Sequence, residues 1–458
     1  MRHAALLAAA LALLAAARPA AAQDLIAGTA AVRDKAISDT TAWDVVESLT
    51  TEVGPRMVGS PAMTRARDWG VATLTRLGFE NVHLEPFTTR AWARGEERAE
   101  VVAPFAQPLA ILGLGGSAPT PRGGLEAPIV IFPSYQALLD VPPGGLTGKI
   151  AVLTQRMSRT QDGSSYGAIS PMRFLGAGEA AKRGAVAFLV RSVSTADTRL
   201  PHTGAGGEPG IPAAALSTPD AELLERMAAR GQPVVVRLSM ASRVIPQAQA
   251  WNVVGEIRGS ERPGEVLVVG GHLDSWDPGT GAIDDGAGVA ITTAAARLAG
   301  SAGRPRRTIR VIMWGSEEQG GSGEAYAHAH AGEIADMIVV GESDLGAGRI
   351  WRAALPAGAR EHPAMQAFAR AVVPLKVDVS RDAARFGGSD VEGMIAAGAP
   401  VIEFRQDASR YFDLHHSADD TLDKIDPAEM SQAVAVWASF LYATANSDVD
   451  FRTLKARP

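Results

Sequence analysis

The sequence predicts an α/β protein, a layered sheet with helices on both faces, interrupted by a compact β-rich insert. Three observations carry this. From Trp251 onward strands and helices alternate, with strands at 252–257, 265–271, 308–314, 336–341 and 400–404. Helices fall between them at 286–299, 322–332 and 363–372, and a final amphipathic helix runs from Pro427 to about Ala445. Between about Ala127 and Ser239 the texture changes to short apolar runs parted by Gly and Pro clusters. Lastly, His and carboxylate fragments recur where strands end, the edge at which α/β sheets bind ligands.

The chain of 458 residues is long enough for two or three domains. It is 46% hydrophobic and 21% charged, ordinary for a globular protein. It opens with Arg2 and His3, an apolar run from Ala4 to Ala17, and Arg18-Pro19 before a small-residue stretch. That is the pattern of a secretory leader cleaved after Ala22, and the run is short of the ~20 residues that span a bilayer. Losing Arg2 and Arg18 with the leader takes the formal charge from −6 to −8. An acidic chain argues against a nucleic-acid partner, and no later stretch is apolar enough for a membrane. Cysteine is absent, so a secreted or periplasmic protein of this kind has no disulfides, and any metal falls to His and carboxylates.

Taken in order, residues from Asp24 to about Thr89 read as helical, with Trp43, Val46 and Leu49 on one face. A second helix starts at Ser60-Pro61 and stops at Gly78, with Pro at its first turn and Gly past its end. A strand is expected at 82–87. This region packs over the main sheet. In the insert, strands are expected at Ile129–Phe132, Ile150–Leu153, Val186–Val190 and Val234–Leu238, with helices at Gly176–Arg183 and Asp220–Arg230. His202 stands alone in a Gly/Pro loop and reads as a solvated side chain. Four units follow: a leader at 1–22, an N-terminal part of the main domain at 23–122, the insert at 123–243, and the rest at 244–458.

The chemistry lies in four fragments. His272 and Asp274 follow the strand ending in Gly270-Gly271, and Asp284-Asp285 open the next helix. Glu317-Glu318 follow the strand Ile309–Met313, and Glu342-Ser343-Asp344 follow Met337–Val340. Asp413, His415-His416 and Asp419-Asp420 precede the last helix. A hydrolytic site without cysteine needs about four to six such ligands, with a position left for water. Neighbouring acids such as Glu317 and Glu318 can diverge, one towards metal and one towards water. His328, His330 and His362 fall outside the fragments and read as surface or packing residues.

GGHLDSWD, GAIDDGAG, WGSEEQGG, ESDLGAG and HHSADDT, in this order, resemble the zinc exopeptidases of the M28 family, in its carboxypeptidase Q-like branch. GPRMVGS and WNVVGEIRGS extend the resemblance over nearly the whole mature chain. It implies a three-layer α/β/α catalytic domain with a mixed central sheet, and a protease-associated domain as the insert. It further implies two zinc ions, with His272 and Asp344 on one, Glu318 and His416 on the other, and Asp284 on both. Glu317 resembles the general base. Asp274 is expected to orient His272, Asp420 to orient His416, and Asp285 to follow the bridging ligand through a peptide that is often cis in relatives. His415 either stabilises the oxyanion or simply packs. Arg385, Arg405 and Arg410 are candidates for holding a substrate carboxylate, and the sequence does not rank them. Cobalt or manganese also suits such ligands.

The expected activity is hydrolysis of dipeptides or short peptides, with an aminopeptidase acting on longer peptides as the alternative. The same fold also serves non-catalytic binding ectodomains. Those lose ligands or the base, whereas all six matching residues stand here. The insert either shades the site or mediates a homodimer, and its residues do not choose.

Overall fold

A computed structural model describes residues 23–454; the expected leader lies outside the described residues. Its central sheet has five strands in the order Glu80–Ala93, Arg243–Ile257, Arg307–Trp314, Arg262–His272, Met337–Glu342. The last three run parallel to one another and the first two are antiparallel, so the sheet is mixed. The parallel strands are apolar and buried on both faces, as strands between helical layers must be.

Alternation along each strand builds two separate cores. Leu267, Val269, Ile309 and Val311 point to a face covered by the helices Thr41–Ser48, Ala287–Ser301 and Pro427–Ala445. Val266, Val268, Ile312 and Trp314 point to the other, where Tyr326 and Met394 bring in the helices Ser322–Ala329 and Glu392–Ala396. The small residues of Ala287–Ser301 let that helix sit directly on the strands. A Cβ on Gly288 would overlap the carbonyl of Ser343, and one on Gly271 would lie 2.5 Å from Asp285 Oδ2.

Register then sets the functional edge. His272 lies opposite Trp314, and Gly270 opposite Glu342. The three parallel strands therefore end together, and the residues just past them meet.

A second sheet of eight strands has the order Gln107–Leu109, Glu97–Ala103, Val235–Met240, Leu125–Phe132, Ile150–Leu153, Ala187–Arg191, Ala213–Leu216, Ile111–Gly113. Three of these strands precede residue 123, so the insert does not begin there. The long strands Glu80–Ala93 and Arg243–Ile257 pair down to Ala93 opposite Arg243, and Glu97 pairs with Met240. The chain thus leaves and re-enters the main domain on one two-stranded stem. The insert is also more helical than expected. Besides Gly176–Lys182 and Thr218–Ala228 it contains Tyr135–Leu139 and Ser164–Phe174. Pro171 inside Ser164–Phe174, and its mixed SSYGAISPMRF pattern, hide that helix in the sequence. Among the described residues no helix is long and apolar enough to cross a membrane.

Candidate metal centre

His272, Asp284, Glu318, Asp344 and His416 converge past the three strand ends. His272 Nε2 lies 3.1 Å from Asp284 Oδ1 and 3.6 Å from Asp344 Oδ1. His416 Nε2 lies 3.0 Å from Asp284 Oδ2 and 3.1 Å from Glu318 Oε2. Asp284 thus turns one oxygen to each imidazole. Four of the five are buried and Asp344 is half-buried.

The hydrogen bonds around both imidazoles suit a cation. His272 Nδ1 lies 3.0 Å from the carbonyl of Asp274, and His416 Nδ1 lies 3.2 Å from that of Thr203. A carbonyl only accepts, so each Nδ1 carries a proton and each Nε2 is left facing the carboxylates. Lone pair against carboxylate is repulsive unless a proton or a metal ion lies between. Asp284 Oδ2 and Glu318 Oε1 are buried without a hydrogen-bond partner. Burial pushes Glu318 up to about 8 and Asp344 up to about 6, their negative neighbours adding to the effect. For Asp284 burial acts in the same direction, but His272 and His416 overcome it and hold the carboxyl well below its usual range. The donor set and its excess of negative charge fit divalent cations.

The supporting residues differ from expectation in two places. Asp274 orients His272 through its backbone carbonyl; its carboxylate instead accepts the backbone N–H of Glu317 at 3.0 Å. Asp420 does not reach His416. Its two oxygens accept the N–H groups of Ile283 and Asp284, at 2.6 and 3.2 Å, fixing Asp284. Asp285 follows Asp284 through a cis peptide and accepts the N–H groups of His272 and Gly288. Arg56, fully buried, ties the intervening loop by donating to the carbonyls of Leu273, Thr280 and Gly281. GPRMVGS gave no sign of that role, which depends on contacts more than 200 residues apart.

Beside the centre lies a cleft of about 670 Å³. Glu317 and Glu318 line it together, the former half-buried. His415 lines it too, its ring 4.2 Å from that of His416 and both ring nitrogens without partners. Burial, and then the charge of His416, hold His415 well below the ordinary histidine range, so its ring is neutral. The opposite wall comes from the insert through Tyr166, Arg173, Phe174 and Ala205. None of these was legible in the sequence as a site residue. Arg385, Arg405 and Arg410 do not line the cleft; Arg405 pairs with Glu403 at 2.7 Å, and Arg385 and Arg410 are exposed. His328 is exposed, His330 stacks on Tyr326, and His362 caps the helix Pro363–Val372.

His202 is not solvated. It is 1% exposed, with Nδ1 2.7 Å from the carbonyl of His415 and Nε2 3.1 Å from the hydroxyl of Ser194. Its loop clamps the segment His415-His416. The N–H of Thr203 donates to the carbonyl of His416, which stands at a φ of 60°. That conformation is costly for a non-glycine residue and must be held by its surroundings. Burial lowers the His202 pKa from 6.5 to about 4. The stability contributed by its neutral form is therefore present above about pH 6.5 and lost as the pH falls towards 4. The loss amounts to about 3 kcal/mol. Denaturant midpoints between pH 7 and 4 should fall more steeply for the natural protein than for a His202→Gln variant.

Residues 252–441 match peptidase family M28. Carboxypeptidase Q of Bos taurus is 39% identical over 410 residues, covering 87% of this chain and 84% of its own length. A crystal structure of a peptidase M28 precursor from Shewanella amazonensis SB2B superposes with a TM-score of 0.91. It is 42% identical and covers 95% of this chain and 99% of that one. A zinc aminopeptidase from Bacillus subtilis, 18% identical, shares the fold with a TM-score of 0.66 over 91% of this chain and 97% of that one.

Proposed function

Because the chain belongs to peptidase family M28, we propose that it is an exported dinuclear zinc exopeptidase cleaving dipeptides or short peptides. The observation that carries this reading is Asp284, with one oxygen against His272 and the other against His416. His272 and Asp344 would hold one ion, Glu318 and His416 the second, and Asp284 both. Two divalent cations held there would acidify a water molecule and polarise the scissile carbonyl. Zinc is the metal expected, after the Bacillus subtilis enzyme. Export rests on the leader pattern of residues 1–22.

Glu317 is the general base in this reading. It takes a proton from the attacking water and returns it to the leaving amine. The Asp274 carboxylate holds its backbone N–H, which leaves its side chain free to face the cleft. His415, neutral and unpartnered, can donate one N–H to the oxygen that becomes negative. The exposed rings of Phe174 and Phe386 offer apolar surface to substrate side chains.

The test is a hydrolysis panel of free dipeptides, blocked dipeptides and tripeptides extended at the carboxyl end, run beside a metal assay. About two zinc ions per chain and a preference for free dipeptides are expected. Faster turnover of the tripeptides would favour the aminopeptidase reading. Full activity after thorough chelation would overturn the mechanism.

A further inference from the structure

We propose that Arg173, contributed by the insert, binds the free α-carboxylate of the peptide substrate. It thereby makes the cleft selective for peptides whose carboxyl terminus lies inside it. This rests on the peptidase reading above and names the group that recognises one end of the substrate.

Arg173 sits on the helix Ser164–Phe174, is 6% exposed, and lines the cleft opposite the ligand carboxylates. Its guanidinium donates to the carbonyl oxygens of Ala205 at 3.3 Å and Thr203 at 3.4 Å, and to the hydroxyl of Tyr166 at 2.8 Å. All three partners are neutral. A guanidinium has five N–H donors, so two remain unused. Among the described residues no carboxylate lies within 4.0 Å of it. The similarly buried Arg191 and Arg307 each have a glutamate partner, Glu222 and Glu265 respectively. A buried charge without a counter-charge is costly, and an anionic ligand removes that cost.

The surroundings specify the ligand. The metal side of the cleft is lined by Asp284, Glu317, Glu318 and Asp344, and no other described residue lining the cleft is an Arg or Lys. The cleft is thus acidic where cations belong and basic at one point on the facing wall. Tyr166 accepts from Arg173 and keeps its own O–H to donate, so guanidinium and phenol together present donors suited to the two oxygens of a carboxylate. A cleft of about 670 Å³ has room for a ligand of a few residues. A short peptide whose scissile bond lies at the metal ligands then has its carboxyl end within the cleft that Arg173 lines.

The test is calorimetric binding of Ala-Leu and of Ala-Leu amide to zinc-loaded Glu317→Gln protein, with and without Arg173→Ala. We expect Ala-Leu to bind about 10- to 100-fold more tightly than the amide. Adding Arg173→Ala should bring the two affinities together by weakening Ala-Leu alone, and Arg173→Lys should restore part of the difference. No preference for the free carboxylate, no binding of either ligand, or a preference that survives Arg173→Ala would overturn the assignment. Equal weakening of both ligands would also overturn it, since that is what a purely structural arginine predicts. Failure of the peptidase reading would look different: the natural protein would hydrolyse neither compound while the binding preference remained.

Discussion

Replacing Asp284 with Asn is expected to cost the protein both metal ions and on the order of 10³-fold or more in kcat/KM. An amide has one accepting oxygen in place of two, and its NH2 group would face a ring nitrogen or a cation. Either His272 or His416 then loses its anionic neighbour, now at 3.1 and 3.0 Å respectively. The fold should survive, because Asp420 still accepts the N–H groups of residues 283 and 284 and Asp285 still braces the helix. Metal content after gel filtration, measured beside the far-ultraviolet circular dichroism, separates loss of metal from unfolding. Retention of two ions per chain would remove Asp284 from the bridging position. Metal loading should also weaken as the pH falls. Burial opposes charge on His272, but Asp284 and Asp344 outweigh it and raise its pKa well above 6.5, so an incoming ion must displace a proton.

The parts of this centre that were legible in the sequence are those written locally. A buried apolar run followed at once by His272, by Glu317-Glu318 or by Asp344 marks a strand end, and the parallel register brings those ends together. The illegible parts depend on which distant segment a side chain meets. Asp274 and Asp420 each stand close in sequence to a histidine of the centre, His272 and His416, which made them its natural partners. In the structure their carboxylates turn to the backbone N–H groups of Glu317, Ile283 and Asp284, 43 to 137 residues away. His202 was misread for the same reason. A histidine in a Gly/Pro loop is exposed unless something covers it, and here residues 412–416 do. The insert boundary failed because Glu97–Ala103 carries no mark of its sheet until Val235–Met240 pairs with it. Arg173 lay on a helix that its own proline concealed.

Glu317→Gln should separate chemistry from metal binding. The expected result is a fall in kcat of about 10²- to 10⁴-fold, with two metal ions retained and KM little changed. Gln keeps the size of the side chain and its capacity to accept a hydrogen bond, but it takes up no proton at neutral pH. The backbone stays where Asp274 holds it, so the change is confined to one atom's chemistry. The adjacent Glu318→Gln provides the contrast. Glu318 Oε2 stands 3.1 Å from His416 and its Oε1 has no protein partner, so neutralising it weakens the cation site itself. Loss of activity with metal retained at 317, and with metal lost at 318, would assign proton transfer to one glutamate and ligation to its neighbour. If Glu317→Gln instead released metal, Glu317 would be a ligand, and the base would have to be sought elsewhere in the cleft. If it kept full activity, general-base catalysis by this residue would be excluded, and another group in the cleft would have to take the proton from the attacking water.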